Sequence, residues 1–386
     1  MAGVVRPAMQ RTAGTGVAFV ALIAATLVGQ AALERAVVAQ GERQADGPRF
    51  EVDPFWPKPL PNNWTFGEFS GVHVDSRDHV WVNQRSRSLG DDETYLTATL
   101  LVADCCAPTP SIIELDAEGN LIQAWGGPGA GYDWPDNEHG VYVDYKDNVW
   151  IGGNGANDTH VLKFTRTGQF LLQIGRKGTS AGSNDTANLK RPAQMYVKPT
   201  TNELFVADGY GNRRVVVFDA DTGAYKRHWG AYGDRPDDAA SNTPVPDGPP
   251  SRQFNTLHGV RVSKDGRVYA ADRRNNRIQV FRPDGTFLEE VFIARRTRGF
   301  GVTYEVEFSP DGDQTYLYVP DGTNNHVWIL NRETLEILGN FGRQGRYAGQ
   351  LHHAHSIAVD STGNIYVAET QGKRVQKFVY RGVSGG

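Results

Sequence analysis

The sequence predicts an all-β fold, a β-propeller with six blades. The first observation is a unit of two strands around a turn, which recurs six times along the chain. The second is a later strand that ends in a pair such as Trp-Gly or Phe-Gly in several of the units. The third is a turn-rich composition, with 44 glycines and 20 prolines in 386 residues. Four short alternating strands per unit, repeated six times, favour a propeller over a sandwich.

The copies of the unit are clearest in the second half of the chain, at 258–272 and 355–369. The others begin at Gly71, His139, Ala193 and Tyr304, and the fourth strands are expected within 119–126, 168–175, 223–230 and 335–342. Radial repetition lets one domain grow without enlarging a single core. We therefore expect one propeller over residues 49–382, with 50–53 supplying the outer strand of the last blade. Two insertions, 86–109 and 234–251, are functional lids or solvated loops.

The composition is that of a folded globular protein, with 39% hydrophobic and 22% charged residues. The formal net charge is −4, and no long basic run occurs. Nucleic acid and anionic membrane surfaces are therefore excluded as expected partners. We expect a monomer.

The N-terminus has the features of a secretory signal over residues 1–39. Arg6 and Arg11 precede an apolar run over 16–28, and small residues follow through Ala39. This order of charged, apolar and small residues predicts export to the periplasm or the exterior, with cleavage after Ala31 or Ala39. The alternative is an uncleaved anchor, since the apolar run and its flank approach the length that spans a bilayer.

The chain has two cysteines, the neighbours Cys105 and Cys106. Adjacent cysteines cannot join distant elements, so the fold is not a disulfide scaffold. Whether they form a vicinal disulfide, an intermolecular bridge or a reduced pair is open.

Histidines recur at one position of the repeat. When the six copies are aligned at the start of the innermost strand, this position holds Ser70, His139, Ala193, His258, Tyr304 and His355. Histidine thus occupies every second blade, and alternate positions in a sixfold ring form a triangle around the axis. The chain has ten histidines, so three in this register by chance would be improbable. His355 is preferred over its neighbours His352 and His353 because its surrounding sequence matches the other copies.

Three imidazoles on a rigid frame are typical of a catalytic zinc site with an open fourth position. Imidazole also suits copper, iron and nickel. The alternative is that these are turn histidines that bond to the backbone. A second register, at the exit of the second strand, holds Arg85, Tyr210 and Arg273. Arginine there can hold a carboxylate with two hydrogen bonds, and a tyrosine near a metal can act as a base.

These residues also carry a family resemblance. The NHL-type repeat, the segments 208–214 (DGYGNRR) and 271–278 (ADRRNNRI), and the three histidines resemble the peptidyl-α-hydroxyglycine α-amidating lyases over about 50–381. The resemblance implies zinc at His139, His258 and His355, Tyr210 as the base, and Arg85 and Arg273 as substrate-holding residues. The implied reaction cleaves a carbinolamide, an α-hydroxyglycine derivative, into an amide and glyoxylate. We therefore expect a small-molecule or peptide-derived substrate that carries a carboxylate.

The chain departs from the family at three positions and in one segment. His353 stands where the family has methionine, two residues before the last histidine, and Gly211 stands where it has a disulfide cysteine. An aspartate that helps to organise a structural calcium in the family is replaced by Ser356. A structural calcium is still the second ion that the resemblance implies, besides the zinc at the three histidines. The Arg85 segment also matches the family poorly. These differences bear most on the substrate.

Two other functions are compatible with the sequence. The first is a binding propeller without chemistry, which would recognise a protein or a glycan. The second is a metal-dependent hydrolase of the lactonase type, although such sites generally bind calcium through carboxylates and amides rather than through three histidines. Stoichiometric zinc in purified protein would separate the lyase from the binding module.

Overall fold

The structure, a computed structural model, describes residues 3, 47–96 and 103–383. In chain order the strands are β1 (Pro48–Asp53), β2 (Trp64–Thr65), β3 (Glu68–Val74), β4 (Val80–Arg85), β5 (Ala107–Pro108), β6 (Ile112–Leu115), β7 (Leu121–Trp125), β8 (Glu138–Val143), β9 (Val149–Gly153), β10 (Val161–Phe164), β11 (Phe170–Ile174), β12 (Met195–Lys198), β13 (Glu203–Asp208), β14 (Arg214–Asp219), β15 (Tyr225–Trp229), β16 (Leu257–Val262), β17 (Val268–Asp272), β18 (Arg277–Phe281), β19 (Phe287–Phe292), β20 (Glu307–Phe308), β21 (Tyr316–Asp321), β22 (His326–Asn331), β23 (Ile337–Phe341), β24 (Ala354–Val359), β25 (Ile365–Glu369) and β26 (Arg374–Val383). Short 3-10 helices cover Ser86–Ser88, Asp91–Glu93, Ala231–Gly233 and Arg273–Asn275.

Six four-stranded antiparallel sheets form the six blades, which confirms the predicted propeller. Blade 1 is β3-β4-β6-β7, and blades 2 to 5 are β8–β11, β12–β15, β16–β19 and β20–β23. Blade 6 is β24-β25-β26 with β1 as its outer strand. The ring is therefore closed by pairing of the first strand with the last, as the sequence indicated. The remaining pair, β2 and β5, is a short parallel ladder beside the insertion in blade 1.

Tight turns that are closed by side chains follow the innermost strands of blades 1, 2 and 6. In each of these blades an aspartate directly follows the strand, and its Oδ1 accepts two backbone N–H groups of the turn at 2.9 to 3.1 Å. These residues are Asp75, Asp144 and Asp360. Their other carboxylate oxygen accepts from Trp81, Trp150 or Tyr366 on the second strand. This local hydrogen bonding is the reason that aspartate recurs at the turn.

The hydrophobic core is divided among the junctions between blades. Six buried clusters occur in the described residues, and each combines side chains of two adjacent blades. One cluster, for example, joins Val72 of blade 1 to Tyr366 of blade 6. Every blade therefore packs on both neighbours, and the innermost strands of neighbouring blades also contact one another around the axis.

The predicted export segment, residues 1–39, lies outside the described residues except for Gly3. Within the described part of the chain, no helix is long and apolar enough to cross a membrane. The propeller belongs to the compact unit Asp46–Gly386.

Candidate metal centre

The three histidines of the first register all lie at the start of an innermost strand. His139 is in β8, His258 in β16 and His355 in β24. The pairing of each strand with the next shifts by one residue at this point, which marks a β-bulge. A bulge turns one side chain out of the regular alternation of a strand. In these three strands the side chain at the bulge is the histidine, which points to the axis of the ring.

A buried carboxylate fixes the chain three residues before each histidine. The backbone N–H groups of Asp136, Asn255 and His352 donate to Asp158 (2.7 Å), Asp272 (2.7 Å) and Glu369 (2.7 Å), respectively. Asp272 and Glu369 end a second strand and also accept from the Nε of an arginine on the third strand, Arg277 and Arg374, each at 2.8 Å. The carboxylate and arginine of the repeat thus hold the segment that presents the ligand.

The three imidazole rings form an almost regular triangle. The distances between ring centres are 4.8 Å, 4.9 Å and 4.8 Å. Each ring has a nitrogen within 4.8 Å of the corresponding nitrogens of the other two. The residues are only 1% to 3% exposed. Three converging nitrogen donors in a buried position fit a divalent transition metal.

Hydrogen bonds fix the orientation of two of the rings. Nδ1 of His139 donates to the carbonyl oxygen of Ala193 (3.0 Å), and Nδ1 of His258 donates to that of Tyr304 (2.6 Å). Each bond leaves Nε2 with its lone pair directed to the centre, as metal-binding histidines commonly require. Nδ1 of His355 has no such partner in the described residues.

The surroundings keep all three histidines neutral. Burial lowers the pKa of each ring well below its ordinary value, since a charged imidazolium would lose its hydration. The positive charge of Arg85 adds to this effect on the pKa of His139, and that of Arg273 adds to it on the pKa of His258. Neutral imidazole is the form that binds a metal.

Tyr210 lies over the triangle. Its hydroxyl group is 3.1 Å from Nε2 of His139 and 3.1 Å from Nε2 of His258. Its position depends on Gly209, where a Cβ would come within 2.0 Å of the carbonyl oxygen of Leu257. The chain can follow this path only with glycine, and the next side chain is thereby directed to the histidines.

Arg273 stands next to the tyrosine. Its Nη1 donates to the Tyr210 hydroxyl at 2.9 Å. Its guanidinium carbon lies 5.1 Å from the centre of the Tyr210 ring and 4.8 Å from that of the Tyr304 ring. The residue is 5% exposed, its Nε has no partner, and it makes no ion pair with a carboxylate of the described residues. Its Nη2 makes no hydrogen bond to the described residues and is therefore available to an anionic ligand in the cavity.

Arg85 reaches the same cavity from the opposite side of the ring, but its guanidinium group is already engaged. It pairs with Glu68 at 3.1 Å and donates through Nε to the Glu138 carbonyl at 2.9 Å. Since Glu68 and Arg85 are paired residues of β3 and β4, the two charges neutralise each other. Arg85 is thus less free than Arg273 to hold a substrate carboxylate.

A cavity of about 430 Å³ opens above the triangle. Its lining combines predicted residues with others that the sequence analysis did not select, namely Asn154, Arg191, Arg274 and Phe300. Arg191 places its guanidinium carbon 5.8 Å from the centre of the Tyr210 ring, and Nε donates to the Asn154 carbonyl at 2.7 Å. Asn154 takes the repeat position that Arg85 and Arg273 share, and Arg274 follows Arg273 directly, so both could have been found by extending the second register. Arg191 and Phe300 lie in loops without a repeat register.

The neighbours of His355 have different positions. His353 lines the cavity in a left-handed backbone conformation (φ 64°), and its Nε2 is 3.2 Å from the Tyr304 hydroxyl. Burial lowers the pKa of His353 to about 4 and raises that of Tyr304 to about 12, so both groups are uncharged at neutral pH. The structure thus places His355 in the triangle, His353 on the cavity wall, and His352 in neither.

The registers differ in detail from the sequence alignment. Ala193 and Tyr304 precede their strands, β12 and β20, although each still bonds to the second strand through its backbone N–H at 2.9 Å and 3.2 Å. Arg85 and Arg273 share one position after the second strand, whereas Tyr210 lies one residue further because Gly209 takes the shared position.

A second cluster of possible ligands, Asp75, His79 and Glu114, lies between blades 1 and 2. It already contains a cation, because Arg166 pairs with Asp75 at 2.8 Å and contacts both Glu114 and His79. We interpret this cluster as a structural ion-pair network.

Comparisons with known proteins agree with the propeller fold and its repeat. The NHL repeat family model matches residues 254–281 and 351–378, which contain His258 and His355. NHL repeat-containing protein 3 from Homo sapiens is 27% identical over 86% of this chain and 84% of its own length. Peptidyl-alpha-hydroxyglycine alpha-amidating lyase 1 from Drosophila melanogaster is 25% identical over 85% of this chain and 59% of its own. A streptogramin B lyase structure is similar with a TM-score of 0.54 over 87% of this chain and 98% of that chain, at 12% identity, and shows the fold alone.

Proposed function

The chain is an NHL-repeat β-propeller whose homologues include peptidyl-α-hydroxyglycine α-amidating lyases, and we propose that it is a zinc-dependent carbon–nitrogen lyase. Its substrate would be an N-acyl or peptidyl α-hydroxyglycine, R–CO–NH–CH(OH)–COO⁻. The products would be the amide R–CO–NH₂ and glyoxylate. The N-terminal segment supports a further proposal, that the enzyme acts after export.

The observation that carries the proposal is the position of the Tyr210 hydroxyl. It lies 3.1 Å from Nε2 of two histidines and 2.9 Å from Nη1 of Arg273. A purely structural tyrosine would not need a triangle of neutral, buried imidazoles beneath its oxygen. A non-catalytic binding surface would not need them either.

Zinc is the ion that best fits the three histidines. Nδ1 is held by a carbonyl in His139 and His258, which leaves Nε2 as the donor, and all three rings are neutral. Zinc held by three histidines would supply Lewis acidity to a substrate oxygen. The rest of the chemistry is done by side chains of the chain itself.

Tyr210 is suited to move the proton of the reaction. Arg273 donates to its oxygen, and this hydrogen bond fixes the position of the oxygen over the histidines. As the base, the Tyr210 oxygen would accept the proton of the substrate hydroxyl as the carbonyl of glyoxylate forms. The C–N bond then breaks, and the same proton returns to the amide nitrogen, so that no water or other reactant is consumed.

Arg273 is also the better of the two arginines for the substrate carboxylate. It has no carboxylate partner among the described residues, and its Nη2 makes no hydrogen bond to them. Arg85 is paired with Glu68 and would act mainly through its charge. Fixing the carboxylate places the hydroxyl of the substrate beside Tyr210.

The test is to measure zinc content and glyoxylate release together. We expect about one zinc per chain and release of glyoxylate and benzamide in equal amounts from α-hydroxyhippurate. The absence of stoichiometric metal would instead support a binding propeller. Bound zinc without glyoxylate release, but with cleavage of a lactone, would support a hydrolase. Either result would overturn the proposed function.

A further inference from the structure

A second groove, of about 280 Å³, adjoins the metal cavity at blade 4. Arg274 lines both spaces and therefore stands at their junction. We call the second space the Arg274 groove; it is lined by Thr243, Pro244, Asn255, Arg274, Arg298 and Gly299, among others. Its walls come from the insertion before blade 4 and from the connection between blades 4 and 5.

Contacts between these two loops hold the groove open. Nη2 of Arg295 donates to the Gly248 carbonyl (2.7 Å), and Nη2 of Arg296 contacts Asp247 (2.9 Å). The connection also passes very close to blade 4 at Gly301 (φ 84°), where a Cβ would lie 2.0 Å from the carbonyl oxygen of Arg273. The groove is thus formed before any ligand binds, which lowers the ordering cost of binding.

The positive charge in the groove is not neutralised by the protein. Arg274 is exposed and makes no ion pair with a carboxylate of the described residues. Among the described residues, the side chain of Arg298 donates only to the carbonyl oxygens of Arg296 and Thr297, at 3.3 Å each. The neighbouring carboxylate of Asp247 is already bound by Arg296. Two guanidinium groups therefore face the groove without an anion.

The position of the groove relates it to one half of the substrate. In the proposed reaction, Arg273 holds the carboxylate of the glycine part, so the acyl part must extend away from the triangle. Arg274 is the next residue in the chain, and its side chain lines both the metal cavity and the Arg274 groove. Guanidinium groups bind carboxylates through strong charge-assisted hydrogen bonds.

We infer that the Arg274 groove is a subsite for an acidic acyl group, so that the preferred substrate carries a second carboxylate on the amide side of the cleaved bond. This inference rests on the proposed function for the identity of the reacting group. An acidic peptide with a C-terminal α-hydroxyglycine and a small N-acyl dicarboxylate share the required chemistry.

The test compares substrates of nearly equal shape. N-succinyl-α-hydroxyglycine has a terminal carboxylate, and N-succinamoyl-α-hydroxyglycine has a neutral amide in its place. With the zinc-loaded full-length protein, we expect kcat/KM for the carboxylate to be about tenfold higher or more, the size of one charge-assisted hydrogen bond. The preference should decrease as ionic strength rises, because Arg274 and Arg298 are accessible to salt. A peptide series with glutamate or glutamine before the hydroxyglycine distinguishes a peptide substrate from a small one.

Variants assign the preference to the groove. Arg274→Gln and Arg298→Gln should each lower the ratio of the two kcat/KM values, and Arg274→Lys should restore part of it. The matched control is Arg282→Gln, since Arg282 is equally exposed in the same blade but lies in the turn between β18 and β19, at the end of the blade away from the triangle. The control should leave both the ratio and the activity unchanged.

Binding of analogues without the hydroxyl group keeps the inference testable apart from turnover. N-succinylglycine should bind the zinc-loaded protein about tenfold more tightly than N-succinamoylglycine. Equal binding and equal kcat/KM for the two members of each pair would overturn the subsite, although glyoxylate release would still support the lyase. Preferential binding without any glyoxylate release would support the subsite and overturn the lyase.

Discussion

The even-numbered and odd-numbered blades make different contributions at the axis of the propeller. Blades 2, 4 and 6 each supply an imidazole, whereas blades 3 and 5 each supply a backbone carbonyl that orients the imidazole of the preceding blade. Ala193 of blade 3 accepts from His139, and Tyr304 of blade 5 accepts from His258. The ligand must be histidine, but its acceptor can belong to any residue type. One repeat position can therefore alternate between a fixed residue and a variable one without losing the site.

The third pair does not follow this rule. His355 of blade 6 is followed by Ser70 of blade 1, whose hydroxyl contacts Asn83. Nδ1 of His355 has no acceptor among the described residues. Two ligands are thus held by hydrogen bonds, whereas the third is held by packing in a fully buried position. The three ligands should therefore respond differently to changes in the neighbouring blades.

Removing a ligand from an even-numbered blade should have the largest effect. Loss of a residue that only orients a metal ligand lowers metal affinity by up to about 100-fold. His258→Ala removes a ligand itself, so we expect metal affinity to fall by more than this and activity to disappear with the metal. Zinc content by atomic emission and glyoxylate release are measured on the same preparation. His228→Ala is the control, because His228 lies on the outer strand β15. Full metal content in His258→Ala would show that the triangle is not the metal site.

Removing the tyrosine supplied by blade 3 should affect chemistry but not the metal. Tyr210→Phe keeps the ring and deletes the oxygen that lies between His139, His258 and Arg273. We expect kcat to fall by about 10²- to 10⁴-fold, the usual contribution of a general base, with one zinc still bound. Tyr145→Phe is the matched control, since Tyr145 is 48% exposed at the opposite end of blade 2. Unchanged turnover in Tyr210→Phe would remove this residue from the mechanism.

The sequence predicted the side chains that share a repeat position better than it predicted their hydrogen-bond and ion-pair partners. His139, His258 and His355 share a position because the strands repeat, so their convergence follows from the fold. The carbonyls of Ala193 and Tyr304 leave no signature, since every residue has a backbone oxygen. The Glu68–Arg85 ion pair joins facing residues of one hairpin and could have been derived from the alternation of β3 and β4. Arg191 reaches the cavity from a loop, and no period predicts its position.

A smaller effect is expected when the backbone carbonyl that an odd-numbered blade supplies is displaced. In Gly140→Ala, the new Cβ would come within 2.3 Å of the Ala193 oxygen that orients His139. We expect metal affinity to fall by about 10- to 100-fold, as for other orienting partners of metal ligands. Competition with a chelator measures the change in affinity.

Gly178→Ala separates this effect from backbone strain. Both glycines have a left-handed conformation, with φ of 70° and 75°, but a Cβ at Gly178 would meet nothing within 4 Å. Both variants should therefore lose roughly 1–2 kcal/mol of stability through the unfavourable backbone, and only Gly140→Ala should lose metal affinity. An equal loss of affinity in the two variants would contradict the role of the Ala193 carbonyl.

The smallest effect should come from the blade that lacks an acceptor. In Ser70→Ala, the hydroxyl that contacts Asn83 is lost, while Nδ2 of Asn83 can still donate to the Gly140 carbonyl at 3.1 Å. A buried hydrogen bond is worth about 1 kcal/mol, so the free energy of unfolding should fall by roughly that amount. Because Ser70 makes no hydrogen bond to His355, zinc affinity should stay within about threefold of the wild-type value, well below the 10- to 100-fold cost of losing an orienting partner. A chelator titration that showed a loss as large as that of Gly140→Ala would mean that blade 1 orients His355 after all, and that all three odd-numbered blades contribute equally.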